Sequence, residues 1–501
     1  MIEGDIAGLV QSIDPDPVKG GNRLGMHLRA EGQLEDAAFC FQWVLDRVPS
    51  SLSARNNLAS IRIEQGRVRE GLDLYRAALA TDPSNFILHG NLAFASCYDD
   101  GLDGAAVLAE HRRWNDRFAA PLKRQWRPHV LPAVTPERLK IGYVSSDFRA
   151  HPVASYLEPV LGHHDRKAFE VYAYHTDERH DATTARLRGL VEHWRDCGQD
   201  PPELVAERIR IDGVHMLIDL GGQTSPANLL TFALKPAPVQ AAWAGYCFST
   251  GLDAMDYLIV DRRQVPATSE ALCSETVVEM PGDNICYRPP ELVPPVGPLP
   301  MTLNGFVTFG AFHNLSKMSE TALKLYARTL TASPGSRLLV KSGALSDPAT
   351  LEAWTARAVA CGLPVERVEV LGLSDQMGHL MAHTRVDVML DSHPYSGGVT
   401  TLESLWMGVP VVTLAGETYY SRHTTTHLGS LGLDELSTKT PEAFIAAVTA
   451  LTGAPERLGA LRAGLRTRMA DSALCDGKGF TRILEGVYRD LWARYHGAAV
   501  S

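Results

Sequence analysis

The chain lacks a basic excess and a long apolar run. Its 501 residues carry 48 lysines and arginines against 58 aspartates and glutamates, a net charge of −10. This balance argues against a general nucleic-acid-binding protein and against a polybasic membrane anchor. No run approaches about 18 apolar residues, so no membrane-spanning helix is expected. The first residues, MIEGDIAGLV, lack the basic segment of a signal peptide.

The chain also lacks paired cysteines and the common catalytic loops. Its eight cysteines are scattered and none belongs to a CxxC pair. We therefore expect reduced thiols, no zinc site and a cytoplasmic protein. The sequence has no Walker P-loop, no GxSxG elbow and no GxGxxG loop after a strand. No aspartate pair stands where a strand-end metal ligand would, so no metal is expected.

A 34-residue period organises residues 1–120. Leucines recur in one phase, small residues in the next, and an aromatic residue and a proline mark the first two units: Leu24, Leu58, Leu92; Gly25, Ala59, Ala93; Phe41, Tyr75; Pro49, Pro83. Small residues let two helices approach closely, and proline ends the second helix. The pattern predicts tetratricopeptide units at 18–51 and 52–85 and a degenerate unit at 86–119. Such units stack into a solenoid with a concave surface, which we interpret as a docking or dimerisation module.

Two further parts follow a proline-bearing linker at 121–137. From Leu139 onward, short apolar runs, such as Val239–Trp243 and Tyr257–Val260, alternate with longer helical segments, such as Asp181–Glu192. This alternation predicts parallel, doubly wound sheets. A proline-rich stretch, Pro281–Pro300, divides this region into halves at 138–290 and 291–501, the second including the closing helices. The predicted fold is α/β with an all-α N-terminal part, and ligands of such sheets bind at the carboxyl ends of the strands.

One glycine-bearing loop is the first candidate for a binding site. Gly397 and Gly398 follow a predicted strand, Val386–Leu390, and precede a predicted helix, Leu402–Met407. This unit offers backbone N–H groups and a helix N-terminus to a phosphate. We expect hydroxyl donors from Thr400 and Thr401 and, from Glu403 in the first helical turn, an acceptor for a ribose. The alternative interpretation is an ordinary βαβ turn that binds nothing.

Other candidates stand at predicted strand ends. His151 follows the first strand of the N-terminal half, where a histidine can take a proton from a hydroxyl or hydrogen-bond a sugar. His215 opens the run HMLIDL. In the C-terminal half, Lys317 follows a predicted strand and Lys341 ends the next one, and both could meet a diphosphate as point charges. A capping histidine or a solvated lysine is the alternative for each of them.

The order of these motifs resembles one known family. LKIGYVSSDFRAHPVASYL, LIDLGGQT, LKPAPVQAAWAGY, FGAFHNLSKMS and GVPVVTLAGETYYSR are similar to segments of the O-linked N-acetylglucosamine transferases with tetratricopeptide repeats. The resemblance covers about 18–496. It implies a GT-B enzyme with two Rossmann-like halves that is inverting and metal-independent. It also implies transfer of a sugar, typically from UDP-N-acetylglucosamine, to serine or threonine hydroxyls of proteins.

The resemblance also implies roles for individual residues. His151 matches the family's cleft histidine and His215 the histidine that contacts donor sugar or phosphate, and the identity of the base stays open between a histidine and a water relay. Lys317 matches the lysine that stabilises the departing diphosphate. The nucleotide-binding positions are Asn314 for the nucleotide, Gly398, Val399 and Thr400 for the phosphates, and Glu403 for the ribose.

The sequence departs from the family pattern in two places. Cys247-Phe248-Ser249 stands where Pro-Gly-Thr is usual, and Ser396 and Val399 replace an amide and a hydroxyl in the phosphate loop. These departures keep two alternatives open. One is a transferase for another nucleotide sugar, including a CMP-nonulosonic acid, acting on a surface protein such as flagellin. The other is an inactive tetratricopeptide scaffold. The expected partners are a nucleotide sugar and a protein acceptor docked in the repeat groove.

Overall fold

The computed structural model describes residues 6–129 and 136–500. The chain forms two compact units, each built from distant stretches of sequence. The first unit contains the described residues up to Asp103 together with Glu291–Gly416 and Asp434–Arg466. The second unit contains Gly104–Pro290, Glu417–Leu433 and the residues from Thr467 onward. None of the helices described is long and apolar enough to cross a membrane.

The N-terminal part is helical, as the 34-residue period predicts. Its helices are α1 (Ile6–Ile13), α2 (Pro17–Ala30), α3 (Leu34–Arg47), α4 (Leu52–Glu64), α5 (Val68–Thr81), α6 (Phe86–Ser96) and α7 (Gly104–Trp114). The pairs α2–α3 and α4–α5 coincide with the predicted units. A Cβ added at Gly25 would lie 2.5 Å from the ring of Phe41, and one at Gly71 would lie 2.5 Å from Ile63. The small-residue phases therefore mark the close approach of paired helices.

The second unit contains a seven-stranded parallel sheet with the order β3-β2-β1-β4-β5-β6-β7. Its strands are β1 (Leu139–Ser145), β2 (Phe169–His175), β3 (His193–Asp196), β4 (Met216–Asp219), β5 (Val239–Trp243), β6 (Tyr257–Val260) and β7 (Thr276–Glu279). The helices between them are α8 (Pro152–His163), α9 (Ala182–Arg188), α10 (Pro202–Asp212) and α11 (Pro226–Ala233).

The first unit contains a six-stranded parallel sheet with the order β10-β9-β8-β11-β12-β13. Its strands are β8 (Thr308–Phe312), β9 (Arg337–Lys341), β10 (Val368–Leu371), β11 (Val388–Leu390), β12 (Val411–Leu414) and β13 (Ser437–Thr438). The remaining helices are α12 (Pro300–Asn304), α13 (Glu320–Ala332), α14 (Pro348–Ala360), α15 (Gln376–His383), α16 (Val399–Trp406), α17 (His423–Ser430), α18 (Pro441–Thr452), α19 (Pro455–Ala470) and α20 (Gly477–Val500).

The repeat helices of the first unit are tied to its sheet by buried and half-buried polar contacts. Asp100 Oδ2 accepts hydrogen bonds from the backbone N–H and the hydroxyl of Thr321, at 3.0 and 2.7 Å. Gln65 Nε2 donates to Thr350 Oγ1 at 3.0 Å. These bonds join the repeats to the first turns of α13 and α14, which follow β8 and β9. The carboxyl edge of this sheet therefore faces the helical repeats directly.

The last helix does not follow the predicted boundary at 291–501. Leu484, Tyr488, Leu491 and Trp492 of α20 are buried in the same core as β1, β4 and β5. The apolar face of α20 thus packs against the seven-stranded sheet of the second unit, although this helix belongs to the C-terminal part of the sequence. A 3-10 helix, Ala120–Gln125, overlaps the start of the predicted linker 121–137, and residues 130–135 lie outside the described residues.

Candidate active site

A buried carboxylate shapes the glycine loop between β11 and α16. Asp391 Oδ1 accepts hydrogen bonds from the backbone N–H groups of Ser392 and Gly397, both at 2.8 Å. Its Oδ2 accepts the hydroxyl proton of Thr413 on the neighbouring strand β12, at 2.7 Å. Ser392 Oγ donates to the carbonyl of Tyr395 at 2.7 Å. The loop is therefore folded around one side chain rather than left open.

The loop leads directly into the N-terminus of α16. Gly398 is the N-cap residue and supplies no side chain to accept the first helical N–H groups, which leaves this helix end suited to an anion. A Cβ added at Gly397 would lie 2.4 Å from Thr401 Oγ1 and 3.0 Å from Thr400 Oγ1. Glycine at 397 is thus required by the two threonine side chains. The helix begins at Val399, earlier than predicted.

The earlier helix start corrects the predicted position of Glu403. Because α16 begins at Val399, Glu403 is its fifth residue and not part of the first turn. The carboxylate is largely buried, and Nε2 of His379 on α15 lies 3.3 Å from Glu403 Oε2. His379 therefore orients the Glu403 carboxylate, a hydrogen-bond acceptor that lies one helical turn after the N-terminus of α16. No sequence pattern indicated a role for this histidine.

Lys317 lies against the same loop. It ends the 3-10 helix Leu315–Lys317 that follows β8, and β8 is paired with β11. Its Nζ lies 3.8 Å from the ring centroid of Tyr395 and 3.4 Å from the carbonyl oxygen of Ser396, to which it donates. Lys317 thus contacts the loop that carries the two glycines and leads into the N-terminus of α16.

Asn314 and Lys341 have different surroundings. Asn314 is exposed and lines a groove of about 550 Å³ together with Ser342 and Gly343 of the sheet edge and Tyr98 of the repeats. Lys341, at the end of β9, is buried, and its Nζ donates to the carbonyl of Gly372 at 2.8 Å. Burial lowers the pKa of Lys341 below its usual value. Its ammonium is thus engaged by a backbone carbonyl of the loop after β10.

In the second unit, His151 lies at the carboxyl edge of the seven-stranded sheet. It is the N-cap residue of α8, and the backbone N–H of Val153 donates to its Nδ1 at 3.4 Å. Asp147 Oδ2 lies 3.7 Å from the same nitrogen. Burial lowers the pKa of His151, and Asp147 opposes that shift. A neutral ring that accepts at Nδ1 carries its proton on Nε2 and can donate it to an oxygen.

His215 lies at the other edge of that sheet. It precedes β4, and its Nδ1 accepts the backbone N–H of Lys140, near the start of β1, at 3.0 Å. Its ring contacts Trp492 of α20 at a centroid distance of 4.8 Å, and burial lowers its pKa to about 4. This placement does not favour the donor contact that the resemblance implies for His215, because β4 begins at Met216 and runs away from it towards the carboxyl edge.

The glycine pair after β4 packs internally. A Cβ added at Gly222, whose φ is +50°, would lie 2.2 Å from the ring of Tyr246. Tyr246 in turn shares a hydrogen bond of 2.7 Å with the buried Nε2 of His111. The close approach at Gly222 is thus to an aromatic side chain of the same unit. The ring of Phe248 packs against the same histidine, His111, at a centroid distance of 5.3 Å.

Besides His379, the site contains two residues, Asp391 and Tyr395, to which the sequence patterns assigned no role. Asp391 could have been found, because a carboxylate directly after a buried strand must be satisfied locally. Tyr395 had no signal of its own, since its partners Lys317 and Tyr98 are distant in sequence. Among the described residues, no group of three or more histidine, cysteine, aspartate or glutamate side chains is arranged to hold a metal ion.

Comparison with known families decides the classification. The profile of Glycosyl transferase family 41 matches residues 123–285 and 301–484, and that of a tetratricopeptide repeat matches residues 22–86. The chain belongs to glycosyltransferase family 41. Membership confirms the resemblance and explains why the loops that carry His151, Lys317 and Gly398 occur in this order.

Individual relatives agree with this assignment. The chain is 35% identical to an O-GlcNAc transferase mutant from Thermobaculum terrenum, with a TM-score of 0.92 over 98% of this chain and 93% of that chain. It is 36% identical over 84% of its length to a probable UDP-N-acetylglucosamine–peptide N-acetylglucosaminyltransferase, SPINDLY, of Oryza sativa subsp. japonica. A peptide N-acetylglucosaminyltransferase of Caenorhabditis elegans is 26% identical over 72% of the chain.

The relatives differ from this chain in length. The chain spans 46% of the Oryza protein and 41% of the Caenorhabditis protein. The bacterial structure, by contrast, is matched almost from end to end. The two-sheet GT-B fold with preceding tetratricopeptide repeats is therefore confirmed for the chain as a whole.

Proposed function

We propose that this chain is a protein O-glycosyltransferase that moves N-acetylglucosamine from UDP-N-acetylglucosamine to serine or threonine hydroxyls. The observation that carries the proposal is the grouping of Lys317 with the glycine loop at the N-terminus of α16. Cation, helix end and hydroxyls together form a site for a diphosphate. Family membership and the length-wide similarity to an O-GlcNAc transferase support the same assignment.

The leaving group is stabilised by protein groups in this proposal. The acceptor oxygen bonds to the anomeric carbon of the sugar while the bond from that carbon to the diphosphate breaks. The electron pair goes to the diphosphate oxygen, and attack from the opposite face inverts the configuration. Lys317, the N–H groups at Gly398 and Val399, and the hydroxyls of Thr400 and Thr401 neutralise the developing charge. No metal is needed for this neutralisation.

The nucleoside is held by separate groups. Glu403, oriented by His379, accepts hydrogen bonds from the ribose hydroxyls. Asn314 contacts the nucleotide from the neighbouring loop. Lys341 contributes positive potential and supports the loop after β10 through Gly372, without contacting the phosphates.

His151 acts as a hydrogen-bond donor in this scheme. Its Nδ1 accepts from the backbone of Val153, so Nε2–H is the atom it can offer to a sugar or acceptor oxygen. The proton of the acceptor hydroxyl then leaves through a water relay. His215 contacts neither substrate, because it supports the amino edge of the first sheet.

The acceptor protein docks on the repeats. The groove that Asn314 lines is bounded on its other side by repeat residues, among them Tyr75, Phe94 and Tyr98. A polypeptide segment in this groove is held next to the nucleotide-binding loops of the same unit. The cytoplasmic location expected from the sequence stays a prediction.

Thermal unfolding with a nucleotide panel tests the donor. A ligand at about 100 times its Kd stabilises the folded state by about 2.7 kcal/mol. We expect UDP and UDP-N-acetylglucosamine to raise the midpoint and CMP and GDP to leave it unchanged. Stabilisation by CMP alone would indicate a CMP-linked sugar as the donor. No shift with any nucleotide would contradict the proposal that the chain is a glycosyltransferase.

A further inference from the structure

Tyr395 forms a bridge between the repeats and Lys317. One face of its ring carries the Lys317 ammonium, 3.8 Å from the ring centroid. Its ring also stacks on Tyr98, with centroids 5.2 Å apart and an angle of 24° between the planes. The three side chains thus form a continuous row within one compact unit.

The far end of this row is held firmly. Tyr98 follows α6 and packs edge-on against Phe94 at a centroid distance of 5.3 Å. Two residues further on, the carboxylate of Asp100 is hydrogen-bonded to Thr321 at the start of α13. Tyr98 is therefore anchored on both sides, once in the repeats and once on the sheet that carries Lys317.

Lysine needs such support because its stem is flexible. Four methylene groups leave the ammonium many positions, and the hydrogen bond to the carbonyl of Ser396, at 3.4 Å, is long for a contact that must fix it. An aromatic face attracts the ammonium without neutralising it, so the charge stays available to a phosphate. The ring plane of Tyr395, set by Tyr98, therefore defines where the charge stands.

We propose that Tyr395 is a positioning residue for the transfer reaction, and that Tyr98 of the repeats sets its ring. The inference rests on the proposed function, since it assigns Lys317 the stabilisation of the departing diphosphate. It extends that function by making the third repeat part of the catalytic apparatus. Tyr98 also lines the groove beside Asn314. The same side chain therefore borders the groove and supports the ring that Lys317 contacts.

Two substitutions of Tyr395 distinguish the contribution of its aromatic ring from that of its hydroxyl group. Tyr395→Leu removes the aromatic face and should lower kcat about 10-fold with a donor KM changed less than about threefold, because the contact matters most as charge develops. Tyr395→Phe keeps the face and should retain wild-type kcat. Tyr98→Leu should lower kcat by less than Tyr395→Leu, and Tyr98→Phe should restore it.

A second cation–aromatic pair in the same unit provides the matched control. Arg337 Cζ lies 4.7 Å from the ring centroid of Phe306, at the amino end of the sheet. Phe306→Leu should leave kcat unchanged. The double variant Tyr98→Leu/Tyr395→Leu should be no slower than Tyr395→Leu alone, because Tyr98 acts through Tyr395. Thermal unfolding of each variant measures the loss of fold separately.

Lys317→Met in the same assay separates failure of the positioning role from failure of the proposed function. If Lys317→Met abolishes transfer and Tyr395→Leu keeps full kcat, the positioning role is wrong and the proposed function stands. If Tyr395→Phe is as slow as Tyr395→Leu, the hydroxyl and not the ring matters, which also overturns the inference. If Lys317→Met keeps full turnover, both the lysine assignment and the positioning role fail.

Discussion

The carboxylate of Asp391 accepts a hydrogen bond from the backbone N–H of Gly397 at 2.8 Å. This bond turns the loop after β11 back on itself, so that the chain enters α16 with Gly398 as its cap. A buried acid thus shapes the helix end to which the proposed function assigns the phosphates. The geometry leads to direct tests of the site.

Gly397→Ala tests the close approach in the loop. The added Cβ would lie 2.4 Å from Thr401 Oγ1, so the threonine or the loop must shift. We expect the affinity for UDP to fall about 10-fold or more, measured by isothermal titration calorimetry. Gly464→Ala is the control, because a Cβ at this exposed position of α19 meets nothing within 4 Å. Equal affinities in the two variants would contradict the role of the loop.

Glu403→Gln tests recognition of the ribose. Losing a charged acceptor should weaken UDP binding about 10-fold and should hardly affect 2′,3′-dideoxy-UDP, which lacks the hydroxyls. Competition binding measures both ligands. Glu435→Gln is the control, since this exposed acid pairs with Arg457 at 3.0 Å elsewhere in the same unit. If Glu403→Gln weakens both ligands equally, the carboxylate does not read the ribose.

The two histidines predicted as catalytic should behave differently. His151→Ala removes a donor at the ligand edge and should lower kcat/KM about 100-fold without a large loss of stability. His215→Ala leaves the backbone N–H of Lys140 without its acceptor and should destabilise the fold by about 1–3 kcal/mol, with turnover retained. Steady-state kinetics and urea unfolding of both variants decide the matter. A turnover defect in a stably folded His215→Ala would restore its catalytic assignment.

His111 should make stability depend on pH. Burial lowers its pKa from 6.5 to about 4, so the ring is neutral in the folded protein. Between these values the unfolded chain binds a proton that the folded chain does not, and stability falls as pH decreases through that window. The shift corresponds to about 3 kcal/mol, fully retained above the ordinary pKa.

The variant His111→Gln isolates this contribution. We expect it to be less stable than the wild type near neutral pH, because the bond to Tyr246 is disturbed. The difference in free energy of unfolding should shrink at about pH 4.5, where the wild type has lost its advantage. A difference that stays constant with pH would contradict a buried neutral ring.

Some strands and the repeats were predictable because their signals are local. Buried parallel strands appear as continuous apolar runs, so Val239–Trp243 and Tyr257–Val260 were predicted with their observed bounds. The edge strand His193–Asp196 was not predicted, because an edge position tolerates the polar sequence HWRD. The predicted helix from Asp181 ends at Arg188, and this strand begins shortly after it.

The site was predictable only in part. Glycines, threonines and a lysine near strand ends indicated a phosphate site, because strand order brings those ends together. Tyr98, Tyr395 and His379 could not be predicted, since their roles arise from packing between distant segments. The donor contact of His215 came from the resemblance alone, whereas a residue that opens a strand run stands at the amino edge of a parallel sheet, away from the ligand edge.

The proposed reaction transfers a sugar to a hydroxyl group, with Lys317 stabilising the leaving diphosphate. The most direct measurement is mass spectrometry of a serine- and threonine-containing peptide library after incubation with UDP-N-acetylglucosamine. We predict an added N-acetylhexosamine on hydroxyl side chains with the wild type and none with Lys317→Met, although both proteins fold. Peptides left unmodified by the wild type with every donor of the panel, or modified equally by Lys317→Met, would contradict the account.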